Sequence, residues 1–380
     1  MSSDAGRAAP ALRDVAAAFD LPGRWVASSP FGSGHIHLTV AAVFDQDGRR
    51  VRYVQQRINR TVFREPAQVI ENVARVTEHQ RAGLLRAGAQ DAARRALELV
   101  PARAGGFAFV DDAGETWRTY RFIEGASSHD VIRSPDDACV VAEAFGRFQA
   151  ALSDLPPPRL HETIPRFHDA RARFEKLALT ARADTVGRLV GCRRELEFVR
   201  AREAMVDRLP GLATRGVLPE RNVHNDTKLN NVLLDDRTGE AVCVIDLDTV
   251  MPGLAVLDFA DLARTATSAS AEDERDLSRV ALRPELFAAL AEGFLRGTAG
   301  FMTPAERDEL AFASRLLTLM LGMRFLADHL AGDRYFKVHR EGHNLDRCRT
   351  QLRLVESMEA QASRMDEIVS ATWERLRAEA

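Results

Sequence analysis

The stretch VHNDTKLNNVLLD, Val223 to Asp235, sets a histidine, an aspartate, a lysine and two asparagines within a few positions of an apolar run. Phosphoryl transfer needs such a set. A carboxylate must orient the attacking hydroxyl and accept its proton, and an amide oxygen must help hold the divalent ion that screens the phosphates. His224, Asp226 and Asn231 have the spacing of that chemistry, with Asp226 the expected catalytic base. Lys228, two residues on, would set a positive charge beside the moving group. A second cluster follows in VIDLDTVMPG, where the apolar run AVCVI delivers Asp246 and Asp248 just before a Pro-Gly turn. A short hairpin from Asn231 would return Asp246 beside it. Asn231 and Asp246 are therefore the expected magnesium ligands, oxygen donors for a hard cation, and Asp248 is a weaker third candidate.

Each cluster alone also has a plain structural reading, since Asn and Asp are common turn residues and a strand often ends in solvated acids. Their order, and a β-rich segment ahead of them, favour a kinase. Zinc is a poor competitor, because His35, His37 and His224 lack the helical HExxH spacing.

These groups need elements to position them. The segment from Arg24 to Ile58 reads as two long strands joined at Asp47-Gly48 and entered through the loop SPFGSGHIH. In that loop Gly32 and Gly34 could let backbone amides approach phosphates, a weak signal on its own. Pro66 opens a helical pattern with Val69, Ile70, Val73 and Val76 on one face. ALELVPA, GFAFVDDAG and TWRTYRFI read as further strands. After the hinge RFIEGASSH the texture turns helical, with helices expected over about 136–153, 169–182, 192–208, 284–297, 304–331 and 343–378. The expected architecture is α+β and bilobal, protein-kinase-like, with a β-rich N-terminal nucleotide-binding lobe over 1–123. A mostly helical catalytic and substrate-binding lobe would cover 124–380.

A kinase also needs a cation near the nucleotide phosphates. The only lysines are Lys176, Lys228 and Lys337, so the first lobe has none. Arg57, near the end of YVQQRI, is the expected substitute, because its guanidinium stays charged and can bind phosphate oxygens in pairs. Its acidic partner on the next helix stays open between Glu71 and Glu78.

Composition bounds the rest. The chain has 380 residues, a net charge of -3, 46% hydrophobic and 28% charged residues. That balance gives no general attraction to nucleic acid or anionic membranes. The four cysteines lack CxxC spacing, which argues for ordinary thiols in a reducing compartment. The N-terminus lacks a signal-peptide pattern and no long uninterrupted apolar window follows, so a cytoplasmic location is expected.

The stretches YVQQRINRTVF, VHNDTKLNNVLLD, CVIDLDTVMPGLAVLDFADLAR and RFLADHLAGDRYFKVHREGHNLDR resemble bacterial N-acetylhexosamine 1-kinases, within the aminoglycoside phosphotransferase and choline kinase group. The resemblance runs from about residue 24 to about residue 358. It implies ATP and magnesium as cofactors and phosphorylation of the anomeric hydroxyl of N-acetylglucosamine or N-acetylgalactosamine. Arg324 and Tyr335 match positions that look like sugar contacts in that family, and Asp258, Asp261 and Arg264 would brace the catalytic loops. The chain departs from many relatives by carrying His37 and Leu38 where they have an Asn-Asp pair. Other acceptors, such as an aminoglycoside or choline, would use the same catalytic residues. A non-catalytic relative would need a broken catalytic set, and this one is whole.

Overall fold

The computed structural model describes residues 12–32 and 36–379. Its N-terminal lobe is a five-stranded antiparallel sheet: β1 (Arg24–Pro30), β2 (Leu38–Gln46), β3 (Arg49–Arg57), β4 (Phe109–Val110) and β5 (Thr116–Arg121), in the order β1-β2-β3-β5-β4. The Asp47-Gly48 turn joins β2 to β3. Both residues have positive φ, 52° and 84°, the geometry that matches hairpin twist, which is why glycine is needed there. ALELVPA, expected as a strand, makes two isolated bridges, Leu99 to Tyr120 and Ala102 to Phe19. Val100 N donates to Thr119 O and Arg121 N to Glu98 O beside β5, but Ala102 N turns to Gly106 O and the pairing goes no further.

Strand alternation gives the sheet two different faces. Ala42, Phe44, Tyr53 and Trp117 face a cluster with Val15, Ala16 and Phe19, supplied by the helix Leu12–Ala17 and the turn after it. Val54, Ile58 and Tyr120 face the other way, onto Val69, Ile70, Val73 and Val76 of the helix Pro66–Arg86. That second cluster continues through Phe148, Leu152, Cys243, Leu247 and Val250. The helix is thus packed on both lobes and fixes how they meet.

The C-terminal lobe is mostly helical, so the molecule is α+β as expected. Helix Leu310–Leu330 runs through it with an 18-residue window of mean hydropathy 1.5, 89% of it buried, as a core helix. Helix Pro135–Ala151 packs tightly on helix Pro284–Thr298, since a Cβ at Gly293 would collide with the backbone of Cys139. The expected helix 343–378 is two helices, His343–Ala360 and Ala362–Glu379. At the break, Gln361 Nε2 donates to the Leu282 carbonyl at 3.1 Å, tying the chain to a neighbouring segment. Helix Ala255–Ala266, absent from the expected set, lies almost wholly buried beneath the catalytic loop.

Small strands frame that loop. β6 (Ala126–Ser127), β8 (Val232–Asp235) and β9 (Ala241–Val244) form one sheet, and β7 (Arg221–Val223) pairs with β10 (Met251–Gly253).

Candidate active site

The hairpin of β8 and β9 pairs Val232 with Val244. One residue further, Ile245 N donates to Asn231 O at 2.9 Å, which puts Asp246 beside Asn231. His224 fastens the same junction from the other side. Its Nε2 donates to the Ile245 carbonyl at 2.9 Å, while its Nδ1 accepts from Asp226 N at 3.3 Å. The ring is fully buried, edge-on to Phe145 and Phe148. His224 is thus a peg that joins the two clusters read in the sequence.

Below it, Asp258 is completely buried. It accepts from the backbone of His224 at 2.8 Å, that of Asn225 at 2.7 Å, and from Gln149 Nε2 at 2.6 Å. Burial raises its pKa, with His224 and these donors opposing. The bonds hold Asn225 at φ 67°, a left-handed conformation that asparagine tolerates, and so aim Asp226 into the cleft. Asp261 and Arg264 form their own pair at 2.8 Å one turn further along.

Asp226 has its carboxylate between two donors. Lys228 Nζ lies 2.7 Å from Oδ1, and Asn231 Nδ2 lies 3.3 Å from Oδ2 and 2.8 Å from the backbone carbonyl. Burial would raise its pKa, but the Lys228 charge outweighs it and holds the carboxylate below its ordinary range. A carboxylate so held is a weak base. It orients a hydroxyl and takes the proton as the new bond to phosphorus forms, rather than before.

Asn231 spends its Nδ2 on Asp226, leaving Oδ1 as a free donor to a cation. Asp246 sits at φ 61° and ψ 56°, with no hydrogen bond to its carboxylate among the described residues. It is open to solvent, yet the protein packed around it raises its pKa first, and the charges of Asp248 and Asp226 add to this. A crowded carboxylate and a free amide oxygen suit a hard divalent cation.

Two expected site residues have a different setting. Asp248 is fully buried, with Oδ1 bonded by Arg118, while Oδ2 lies 2.6 Å from His37 Nε2 but has no hydrogen-bond partner among the described residues. These partners hold it well below the usual carboxylate range against its burial, so it braces the cleft. Its ligand oxygen also lies within 4.8 Å of ligand atoms of Asp246 and His37, a group that could hold a cation. His37 stands beside Asp248 on the same side of the cleft. Its Nδ1 accepts from Asn59 N at 3.1 Å, and its Nε2 lies 2.6 Å from Asp248 Oδ2.

Arg57 is the second. It pairs in register with Trp117, and Trp117 belongs to the cluster under the helix Leu12–Ala17. Arg57 therefore emerges on the sheet face opposite Arg118, whose partner across β3 is Gln56. Arg118 is the cation that reaches the cleft. Its Nε and Nη2 both donate to Gln56 Oε1, at 3.1 and 2.8 Å, and Nη1 bonds Asp248. The helix acid expected to pair with Arg57 is absent from that role too: Glu71 binds His161 at 2.8 Å. Asn72 anchors the helix instead, through the carbonyls of His161 and Val250.

Gly32 adopts φ 79° with open space where a Cβ would lie, so conformation rather than crowding asks for glycine. Gly34 lies outside the described residues.

Arg324 and Tyr335 stand together on the acceptor side. The Arg324 guanidinium lies 5.7 Å from the Phe167 ring, 5.8 Å from Tyr335 and 5.4 Å from Phe336. Phe167 leads to the catalytic loop through His168, whose ring is 4.5 Å away and whose Nε2 donates to Asn225 O at 3.0 Å.

A model of the phosphotransferase enzyme family matches residues 29–310, which takes in Asp226, Asn231, Asp246 and Asp258. The chain belongs to the phosphotransferase enzyme family. Its fold is that of an aminoglycoside phosphotransferase from Alicyclobacillus acidocaldarius, at TM-score 0.56 and 16% identity over 99% of each chain. A choline kinase from Cryptosporidium parvum matches at 0.54 and 12%, over 91% of this chain and 92% of that one. A choline/ethanolamine kinase family protein from Mesorhizobium loti matches at 0.50 and 17%, over 96% and 99%. The protein is thus a phosphotransferase enzyme with a kinase-like fold that acts on a hydroxyl of a small-molecule acceptor.

Of the residues around this phosphotransferase site, sequence reasoning missed Arg118, Gln56, Asn72 and His168. Arg118 carried a faint signal, since it sits in the strand TWRTYRFI between Trp117 and Tyr120, both of them large rings.

Proposed function

We propose that this phosphotransferase is an ATP-dependent sugar kinase that phosphorylates the anomeric 1-hydroxyl of an N-acetylhexosamine. The observation that carries the reading is the acceptor wall beside Asp226: the Arg324 guanidinium among Phe167, Tyr335 and Phe336. Aromatic rings suit the C–H face of a sugar, and guanidinium donors suit its hydroxyl and acetamido oxygens. Cationic acceptors such as aminoglycosides or choline would instead call for a strongly acidic lining.

In this reading Asp226 orients the sugar hydroxyl toward the ATP γ-phosphate and receives its proton during in-line attack. Lys228 keeps Asp226 ionised and places positive charge beside the transferred group. Asn231 Oδ1 and the Asp246 carboxylate would hold magnesium, which when bound neutralises charge on the phosphates. Asp258 and His224 keep this set in register by the bonds described above.

The test is incubation of the purified protein with ATP, magnesium and N-acetylhexosamines, with the phosphate located by phosphorus NMR. The expected product is the sugar 1-phosphate, with no product from the 1-O-methyl glycoside. Equal turnover of the methyl glycoside would contradict the 1-kinase reading, since its anomeric oxygen cannot accept the phosphate.

A further inference from the structure

The acceptor wall contains a second arginine. Arg173, on the helix Ala170–Ala183, donates through Nη2 to the carbonyl of Phe167 at 2.9 Å. This is the same residue whose ring lies under Arg324. The Arg173 Nε is buried and has no acceptor. Among the described residues, neither arginine has a carboxylate partner.

The nearby carboxylates are all committed elsewhere. Asp226 is paired with Lys228 at 2.7 Å and Asp261 with Arg264 at 2.8 Å. Asp169 holds Arg166 at 2.6 Å and caps its helix through Ala172 N at 2.8 Å. Asp328, one turn beyond Arg324, accepts from the backbone N–H groups of Arg334, Tyr335 and Phe336 at 2.8–3.0 Å. Asp333 pairs with Arg188 at 2.5 Å. The wall therefore carries two uncompensated positive charges, and His168 between them and the catalytic loop adds none, because burial keeps it neutral.

Like charges held together in a partly enclosed site repel, and an anion between them relieves that repulsion. A neutral sugar would satisfy the hydrogen-bond donors but leave the charge unbalanced. We infer that the acceptor is an acidic sugar, one that carries a carboxylate or a phosphate ester besides the hydroxyl that Asp226 orients, and that Arg173 and Arg324 bind this anionic group. The inference rests on the sugar-kinase reading and narrows its substrate class. Guanidinium groups suit either anion, since both present paired oxygens to the planar donor fork.

The test measures kcat/KM of the full chain, with ATP and magnesium, for N-acetylglucosamine, its 6-phosphate, glucuronate and kanamycin. The expected result is that at least one acidic sugar exceeds N-acetylglucosamine tenfold or more. Which of the two does so tells a phosphate ester from a carboxylate. Arg173→Gln should shrink that ratio at least tenfold, whereas Arg173→Lys, which keeps the charge, should hold it within about threefold. N-acetylglucosamine matching or exceeding both acidic sugars would overturn the inference and leave the sugar-kinase reading standing. Kanamycin as the best acceptor would overturn both.

Discussion

Lys228 Nζ lies 2.7 Å from Asp226 Oδ1 and 3.0 Å from Oδ2, so the ammonium spans the carboxylate expected to receive the acceptor's proton. The pair fixes both the orientation and the ionisation of Asp226. Lys228→Met should lower kcat roughly 10²-fold, the scale seen when one stabilising donor is lost, with a smaller change in KM for ATP. Loss of the charge also raises the Asp226 pKa, because Lys228 is what pulls it down. The acid limb of the pH–rate profile should therefore move to higher pH. An unmoved limb would separate Lys228 from Asp226 ionisation.

Asn231 and Asp246 offer oxygen atoms that no side chain of the described residues occupies. Alanine at either position should raise the magnesium concentration needed for half-maximal rate by tenfold or more. Isothermal titration of magnesium-ATP should weaken in parallel. Asp248→Asn should behave differently: Oδ1 bonds the buried Arg118 and Oδ2 lies beside His37, so stability falls while the magnesium requirement stays within about threefold, and a larger rise would put Asp248 on the cation with Asp246.

Arg118 and Arg57 lie on opposite faces of the same sheet and should respond oppositely to substitution. Arg118→Met leaves a fully buried Asp248 without its guanidinium, a loss of about 3–5 kcal/mol, readable by urea denaturation. Arg57→Ala should change stability by less than about 1 kcal/mol and KM for ATP by less than threefold. A large rise in that KM would return Arg57 to the phosphate site.

His168 supplies a pH dependence of stability. Its buried Nδ1 has no partner, and burial lowers its pKa from 6.5 to about 4. The unfolded chain therefore binds this proton more readily than the folded one. The stability due to neutral His168 is complete above pH 6.5 and is lost as pH falls toward 4, by up to roughly 3 kcal/mol. His168→Gln should flatten the stability curve between those two pH values. An unchanged slope in urea titrations at pH 7 and pH 4.5 would contradict the burial of the ring.

The catalytic residues were legible because they are local. Asp226, Lys228 and Asn231 lie within six positions of one another, and a single β-hairpin, β8 and β9, returns Asp246 to them. Arg118 and Asp248 meet across 130 positions, and nothing in either neighbourhood names the partner. Arg57 was chosen as the available cation, but strand alternation put it on the wrong face, and register is invisible until the sheet is closed. Arg173 was hidden by abundance, since nearly every cation in this chain is arginine. Helix Ala255–Ala266 is buried on almost all sides, Asp258, Asp261 and Arg264 included, so its charged residues mark partners in the core and not a solvent face.

Transfer of γ-phosphate from labelled ATP to a sugar acceptor, compared between the native chain and Asp226→Asn, tests the central claim most directly. The asparagine keeps the shape of Asp226 but cannot take the proton. The account predicts that labelled sugar phosphate falls by roughly 10³-fold or more, with ATP binding by titration within about threefold of native. Near-native transfer in Asp226→Asn would contradict it.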